Sequence, residues 1–376
     1  MKATGDLQLL KRINRSVLLR LIRSQPDLSR ARLAALSGLT KSTVSALVRE
    51  LLDEHWLTEA AAPVATQSMG RPSTPLNIDT TKRVLIGIEI AVDCLRLVCV
   101  SLGGVILTHT EEPLTHPCPA QACQQLVRLV QLLSRQLEEK QLLLTGVGVC
   151  LPGAVDGVSG LVRLAPNLGW RDVPFMAMLA AELAKTGLAP AQIYLQNDAD
   201  AAALGEYEFG GSGDDSLIFI NCDVGVGAGI VLNDRLFAGF RGTAGEIGHS
   251  ILQVDGPLCS CGRRGCAEAF IGARALGNQQ AVVKGGQYLG VLLQNLDAMF
   301  NPHAIVVGGR SSIDHPSLLE TARTTQQAYA QVAGLQSPDV RAARFGVLAA
   351  AVGAAALVLH QFLRPLCKES NHVPGN

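Results

Sequence analysis

The stretch SLIFINCDVGVGAGIVLNDRLFAG, residues 216–239, decides the fold. An apolar run leads into closely spaced glycines. That is a strand followed by a Gly turn. The same texture recurs in VLIGIEI (84–90), LRLVCVSLGG (95–104), LTGVGVCLPG (144–153), QIYLQND (192–198) and HAIVVGG (303–309), with helical stretches between several of them. Apolar strands ending in Gly turns, begun once at VLIGIEI and again at SLIFINC, predict an α/β unit of two lobes about a central cleft. The lobes are expected at roughly 81–200 and 201–376, preceded by a separate unit over 1–80.

The composition agrees. A chain of 376 residues is long enough for two or three compact units. Aromatics are scarce, and the apolar mass is Leu, Val, Ile and Ala, which suits buried strands. The most apolar helical stretch, FGVLAAAVGAAALVLHQFL (345–363), is rich in Ala and Gly and reads as a helix packed inside protein, so no membrane insertion is expected. MKATGDLQLLKRINRS at the start lacks the apolar segment of a secretory signal. Ten cysteines without such a signal suggest a reducing cytoplasm. The net charge is zero but uneven: residues 1–49 carry ten Lys and Arg against Asp6 and Asp27. A basic patch on a neutral chain points to a polyanionic partner at that end.

Three helical patterns fill the basic segment. The first is expected from about Asn14 to Ser24, ended by Pro26. The second, RARLAAL, has Ser29 as N-cap and stops at Ser37-Gly38. The third begins after Thr40 and carries Val44, Leu47, Val48 and Leu51 on one face. Helix, tight Gly turn and helix make a helix-turn-helix. Lys41, Ser42, Thr43, Ser45, Ala46 and Arg49 then face outward. Small hydroxyls for phosphates and an Arg for a phosphate or base edge suit the major groove of a double-stranded DNA operator. The segment after Trp56 is expected to form a two-stranded wing tipped by Gly70-Arg71-Pro72, with Arg71 able to enter a minor groove; a plain linker is the alternative.

LPGAVDGVSGLVRLAPNLGW (151–170), QNDADAAALGE (196–206), GVGAGIVLNDRLFAG (225–239), GTAGEIGH (242–249), CSCGRRGCAE (259–268) and NPHAIVVGG (301–309) occur in an order that resembles the ROK family of sugar kinases and sugar-responsive repressors. The likeness extends over nearly all of 83–376. Joined to a helix-turn-helix, it resembles the repressor branch (xylose-, glucose- or N-acetylglucosamine-type). It implies an actin-like, hexokinase-like two-lobed fold and a sugar site made by Asn197, Asp198, Glu246, His249 and Glu268, with Asn167 as a further candidate. Carboxylates and amides in a cleft can each bond two sugar hydroxyls. In the family's kinases the residue matching Asp198 is the general base; here it is expected as a vestige.

The phosphate loops depart from the kinase pattern. Where the family's kinases have an Asp-x-Gly-Gly-Thr-like loop, this chain has Glu89-Ile90-Ala91-Val92-Asp93. Where they have Gly-Thr-Gly-x-Gly, it has Asp223-Val224-Gly225-Val226-Gly227. The first has no glycine for close backbone approach and no Thr hydroxyl; in the second Val replaces the Thr, and Asp223 puts a negative charge where a phosphate would lie. A sensor is therefore expected rather than an enzyme. The alternatives are a sugar kinase, or a repressor controlled by a sugar-transport protein. The segment between Glu268 and Gly308 is also shorter than the family pattern, which predicts a trimmed helical layer over one lobe.

Finally, His249, Cys259, Cys261 and Cys266 have the spacing H-x9-C-x-C-x4-C. Four N and S donors suit tetrahedral Zn²⁺ with no open position, hence one structural ion per chain. Disulfides or free core thiols are the alternative. A homodimer on a palindromic operator is expected. Xylose, glucose, an N-acetyl amino sugar or a phosphorylated form all fit the hydroxyl-binding set.

Overall fold

A computed structural model describes residues 7–60, 74–114, 118–186, 192–211, 215–240 and 242–364. The N-terminal unit is α1 (Leu7–Ser24), α2 (Arg30–Ser37) and α3 (Lys41–Asp53), followed by β1 (Leu57–Glu59) paired antiparallel with β2 (Leu76–Ile78). Local chemistry sets its punctuation. Ser29 Oγ accepts the Arg32 N–H at 3.2 Å, Gly38 ends α2 at φ 71°, and Thr40 Oγ1 accepts the Thr43 N–H at 3.2 Å. Val44, Leu47, Val48 and Leu51 are all buried, as their spacing predicts.

Helix α1 begins about two turns before the expected Asn14. The added turns carry Leu7, Leu9, Leu10 and Ile13, of which Leu7 and Leu10 stay exposed. Ion pairs hold them to α3: Lys11 Nζ lies 2.8 Å from Glu50 Oε1, and Arg15 makes a two-pronged pair with Glu54. The β1–β2 pair agrees with the expected wing, while its tip, Arg71 included, lies outside the described residues.

The rest of the chain holds two five-stranded sheets of identical order. The first is built from β3 (Arg83–Ile90), β4 (Cys94–Ser101), β5 (Ile106–Pro113), then α4 (Pro119–Glu139), β6 (Leu143–Leu151), the small hairpin sheet β7 (Ala154–Asp156), β8 (Leu161–Ala165) and β9 (Trp170–Val173), α5 (Phe175–Ala184) and β10 (Ile193–Asn197). Helix α6 (Asp198–Phe209) leads to the second sheet: β11 (Ser216–Cys222), β12 (Val226–Leu232), β13 (Arg235–Leu236), α7 (Glu268–Ile271), α8 (Gln279–Phe300), β14 (Ala304–Gly308), α9 (Arg310–Asp314), α10 (Pro316–Ala333) and β15 (Asp339–Ala342). The last helix is α11 (Ala349–Leu363). The orders are β5-β4-β3-β6-β10 and β13-β12-β11-β14-β15: an antiparallel meander followed by two parallel strands, twice.

The two halves share helices. Helix α11 crosses back to the first sheet, and Gly148 of β6 makes room for it: a Cβ there would lie 1.8 Å from Ala354 O. Helix α6 fills the space between α11 and the second sheet. Sequence position alone assigns α11 to the second lobe, 201–376, yet by packing it belongs with the first sheet. The apolar stretch ending at Leu363 is a mostly buried core helix, although its length and composition would suffice to cross a membrane. The N-terminal unit shares this core: Trp56 stacks on Phe362 at 4.2 Å, and the Arg83 guanidinium lies 4.6 Å from the centre of the Trp56 ring. In the shortened segment, α7 is a single turn, and Asn278 caps α8 soon after, its Oδ1 accepting the Ala281 N–H at 2.9 Å.

Candidate functional site

On α3, Lys41, Ser42, Ser45, Ala46 and Arg49 are exposed, on the side opposite the buried Val44 and Leu51. Thr43 is half-buried, its hydroxyl 2.8 Å from that of the cap, Thr40. The face is therefore small, polar and basic, with its first residues at the helix N-terminus that Thr40 caps.

The second constellation follows β13. A short 3-10 turn, Ile247–His249, brings His249 Nε2 to 3.9 Å from Glu246 Oε2, so the two side chains face each other. The other ring nitrogen, Nδ1, lies 3.7 Å from Cys259 Sγ, and Cys261 Sγ lies 3.7 Å from Cys266 Sγ. Ligand atoms from His249, Cys259, Cys261 and Cys266 all fall within 4.8 Å of one another. Zn–S bonds of about 2.3 Å in a tetrahedron put two thiolates roughly 3.8 Å apart. The donor set therefore fits a metal ion of that kind, with all four positions filled by protein. Arg263 supports the cradle: its Nε donates to Cys261 Sγ at 3.4 Å, and the Arg263 bonds pull that thiol down to about 6. Gly265, at φ 72°, lets the loop fold onto itself, since a Cβ there would lie 1.6 Å from Gln253 O.

Glu268 ties this loop to the second sheet. Its Oε1 accepts the Ser260 hydroxyl at 2.6 Å, and its Oε2 accepts the Val226 N–H at 3.2 Å. It acts as a strut within the protein, which the spacing of the sequence did not reveal.

The cleft lies where the two sheets meet α6. Asn197 ends β10 and caps α6, its Oδ1 accepting N–H groups of Ala199 (2.8 Å) and Asp200 (3.2 Å), while Nδ2 donates to Gly153 O at 2.9 Å. Asp198 follows at the strand's carboxyl end, where ligands are met in open α/β sheets. From the other half, Asn221 Nδ2 reaches Asp198 Oδ2 at 3.5 Å. Burial pushes the Asp198 carboxyl up to about 6. Asp200 is pushed well up by burial, with the charges of Asp198 and Glu246 adding to the effect. Asp200 and Asn221 were missed by sequence reasoning. Asp200 shares the first helical turn with the expected Asp198, so the Asp-x-Asp repeat was the available signal; Asn221 had none. Asn167 is exposed on the turn Pro166–Leu168 and is not among the residues bonded together here.

Both phosphate-loop positions are occupied by internal bonds. At the first, the Ala91 N–H donates to Cys94 O at 2.9 Å, closing a tight turn, and buried Glu89 pairs with Arg96 at 3.1 Å. Arg96 is also committed to Glu111 at 2.9 Å. Burial lifts Glu89 to about 7 against the pull of Arg96. At the second, Asp223 Oδ1 accepts the Val224 N–H at 2.9 Å, the Asp223 N–H goes to Gly225 O at 2.9 Å, and Val226 N–H goes to Glu268. A phosphate loop works by aiming free amides at its anion. Here four amides are taken, two of them by carboxylates.

Comparison with known proteins follows the same division. Residues 12–58 match winged helix-turn-helix DNA-binding domains. The xylose repressor of Bacillus subtilis (strain 168) is 28% identical over 387 residues, spanning 96% of this chain and 98% of the relative. A crystal structure of a ROK family transcriptional regulator, a homolog of the E. coli MLC protein, superposes with a TM-score of 0.75 at 24% identity, covering 94% of this chain and 97% of that one. A ROK family glucokinase from Streptomyces griseus, solved with glucose and AMPPNP, superposes at 0.60 and 28% identity over 73% of this chain and 98% of its own. The ROK family itself matches residues 85–284 and 277–361, two pieces that meet where the sequence predicts a shortened segment. With most of its length so matched, the chain belongs to the ROK family.

Proposed function

We propose that this chain is a transcriptional repressor of carbohydrate-utilisation genes, released from or driven onto its operator by a sugar bound in the cleft. The observation that carries the reading is the contrast at the cleft. The acids expected to meet a sugar are present, while Ala91 at the first phosphate-loop position and Asp223, Val224 and Val226 at the second have their amides bonded to the protein's own groups. The full-length likeness to xylose repressors supports it.

In this reading Asp198, Asn197, Glu246 and His249 bond sugar hydroxyls, and Glu268 accepts one in competition with Ser260. Asn167 closes over the site from the β8–β9 turn. Lys41, Ser42, Thr43, Ser45 and Arg49 contact the operator, with Arg71 in the minor groove. Two subunits pair through their C-terminal units and present two helix-turn-helix faces to a palindromic site in the cytoplasm. One zinc ion per chain, held by His249, Cys259, Cys261 and Cys266, supplies rigidity to the loop; with Nδ1 on the metal side, His249 keeps Nε2 for Glu246 and a ligand. Sugar acts only through a difference in affinity between two arrangements of the protein.

Purified protein tests this directly. A sugar panel is screened for thermal stabilisation, since a ligand of the native state raises its stability, and ADP release from ATP is followed with each hit. Stabilisation without turnover fits the repressor; sugar-dependent turnover would make the chain a kinase. A protein that no sugar stabilises would leave control to a partner such as a sugar-transport protein.

A further inference from the structure

We propose that Arg23 and Glu208 are positioning residues that carry the state of the cleft to the DNA-binding unit along helix α6. The inference rests on the repressor reading above and adds its route. Helix α6 runs unbroken from Asp198 in the cleft to Phe209. At a rise of about 1.5 Å per residue its ends stand roughly 18 Å apart. Nearly all its residues are buried, packed on one side by α11 and on the other by the second sheet. A helix so enclosed shifts as a unit, because close-packed interfaces move between discrete arrangements and do not deform gradually.

The far end of α6 carries Glu208, whose side chain is 3% exposed. Two guanidinium groups and an imidazole converge on it from α1 and from α11 with the residue just beyond it. Arg23 Nη1, in the last turn of α1, lies 2.5 Å from Oε2. His360 Nδ1 of α11 and Arg364 Nη1 just beyond it each lie 2.7 Å from Oε1. Arg364 is further anchored by Asp234 at 3.1 Å. Of the three, only Arg23 belongs to the DNA-binding unit. The other two keep the buried carboxylate compensated when Arg23 withdraws, so this one bond can open without stranding a charge. Elsewhere between the units Arg83 Nε donates to Glu54 O at 2.7 Å, and the Trp56–Phe362 stack is apolar and tolerates sliding. A cavity of about 290 Å³ borders the pair, lined by Ile22, Arg23, Pro26, Glu208 and Phe209, and gives the end of α1 room to move. From α1 the link continues to the recognition helix through Arg15–Glu54 and Lys11–Glu50. A displacement of α6 at the cleft must then either carry α1 with it or break the pair.

The test is the ratio of operator Kd with and without saturating sugar, glucose and xylose being the probes, in wild type, Arg23→Gln and Arg23→Lys. Allosteric coupling ordinarily amounts to about 5–150-fold. In Arg23→Gln that ratio is expected to fall to within about twofold of one, while sugar affinity and sugar-free operator affinity stay within about threefold of wild type. Arg23→Lys, which keeps the charge, restores most of the ratio; a purely structural role would leave the ratio untouched in both. A responsive wild type with an equally responsive Arg23→Gln overturns this inference alone. Loss of sugar-free operator binding in Arg23→Gln would make Arg23 part of the DNA-binding fold and overturn it as well. A wild type without response to either sugar overturns the repressor reading and this inference together.

Discussion

Asp198 shows how one residue is reassigned by its surroundings. Its carboxyl sits where a base would be, pushed up to about 6 by burial. Above that pH it is an ionised acceptor for a hydroxyl. Calorimetry is expected to find sugar affinity level above about pH 7 and falling below pH 6, by up to about tenfold per pH unit for one linked proton. Because the folded value lies above the ordinary one, ionisation takes stability away as pH rises from about 4 through 6. Asp198→Asn therefore melts higher than wild type at pH 7, yet loses sugar affinity by at least about tenfold, the value of a hydrogen bond to a charged group. At the cradle, Cys266→Ser removes a fully buried ligand. Zinc content, measured after purification without chelator, is expected to fall from about one per chain to a small fraction, with a lower melting temperature. That His249, Cys259, Cys261 and Cys266 lie together, and that Asn197-Asp198 end a strand, was legible from chemistry and spacing. Glu268 as a strut and Glu208 as a junction were not, since each depends on partners far away in sequence: Val226 for one, Arg23 and His360 for the other.

Elements with strong local signals match their expected form. Ser29, Gly38 and Thr40 mark the helix-turn-helix by short-range bonds, so α2 and α3 could be read directly. The start of α1 could not, because ion pairs with α3 hold its first turns. Nor could the destination of α11, whose all-apolar surface says that it is buried and is silent on where. Gly148 is the key to that docking. Gly148→Ala drives a methyl into Ala354 O, and chemical denaturation is expected to show a loss of at least about 3 kcal/mol, at the upper end for overpacked cores. On α3, Arg49→Ala is expected to weaken operator binding and lower the salt slope of log Kd by about one, with stability changed by less than about 0.5 kcal/mol, since the side chain is exposed. An unchanged salt slope would remove Arg49 from the phosphate contacts.

At the scale of the molecule, two sheets of the same order face each other across α6 and α11, and a DNA-binding unit is rooted in the same core. The recurring strand and Gly-turn texture foretold the duplication. The identical strand order and the shared helices needed long-range pairing that periodicity does not encode. The arrangement explains how a kinase-like frame serves regulation: the cleft is kept, the amides that would hold ATP phosphates are spent on Asp223 and Glu268, and a buried helix joins the cleft to α1. The most direct test is operator affinity, at fixed salt, on a duplex the protein itself selects from random DNA, with and without each sugar of a panel, alongside ADP release. The account predicts that at least one sugar shifts Kd by about fivefold or more with no ADP formed. No shift with any sugar, together with sugar-dependent ADP release at about 1 s⁻¹ or faster, as in ordinary enzymes, would contradict it.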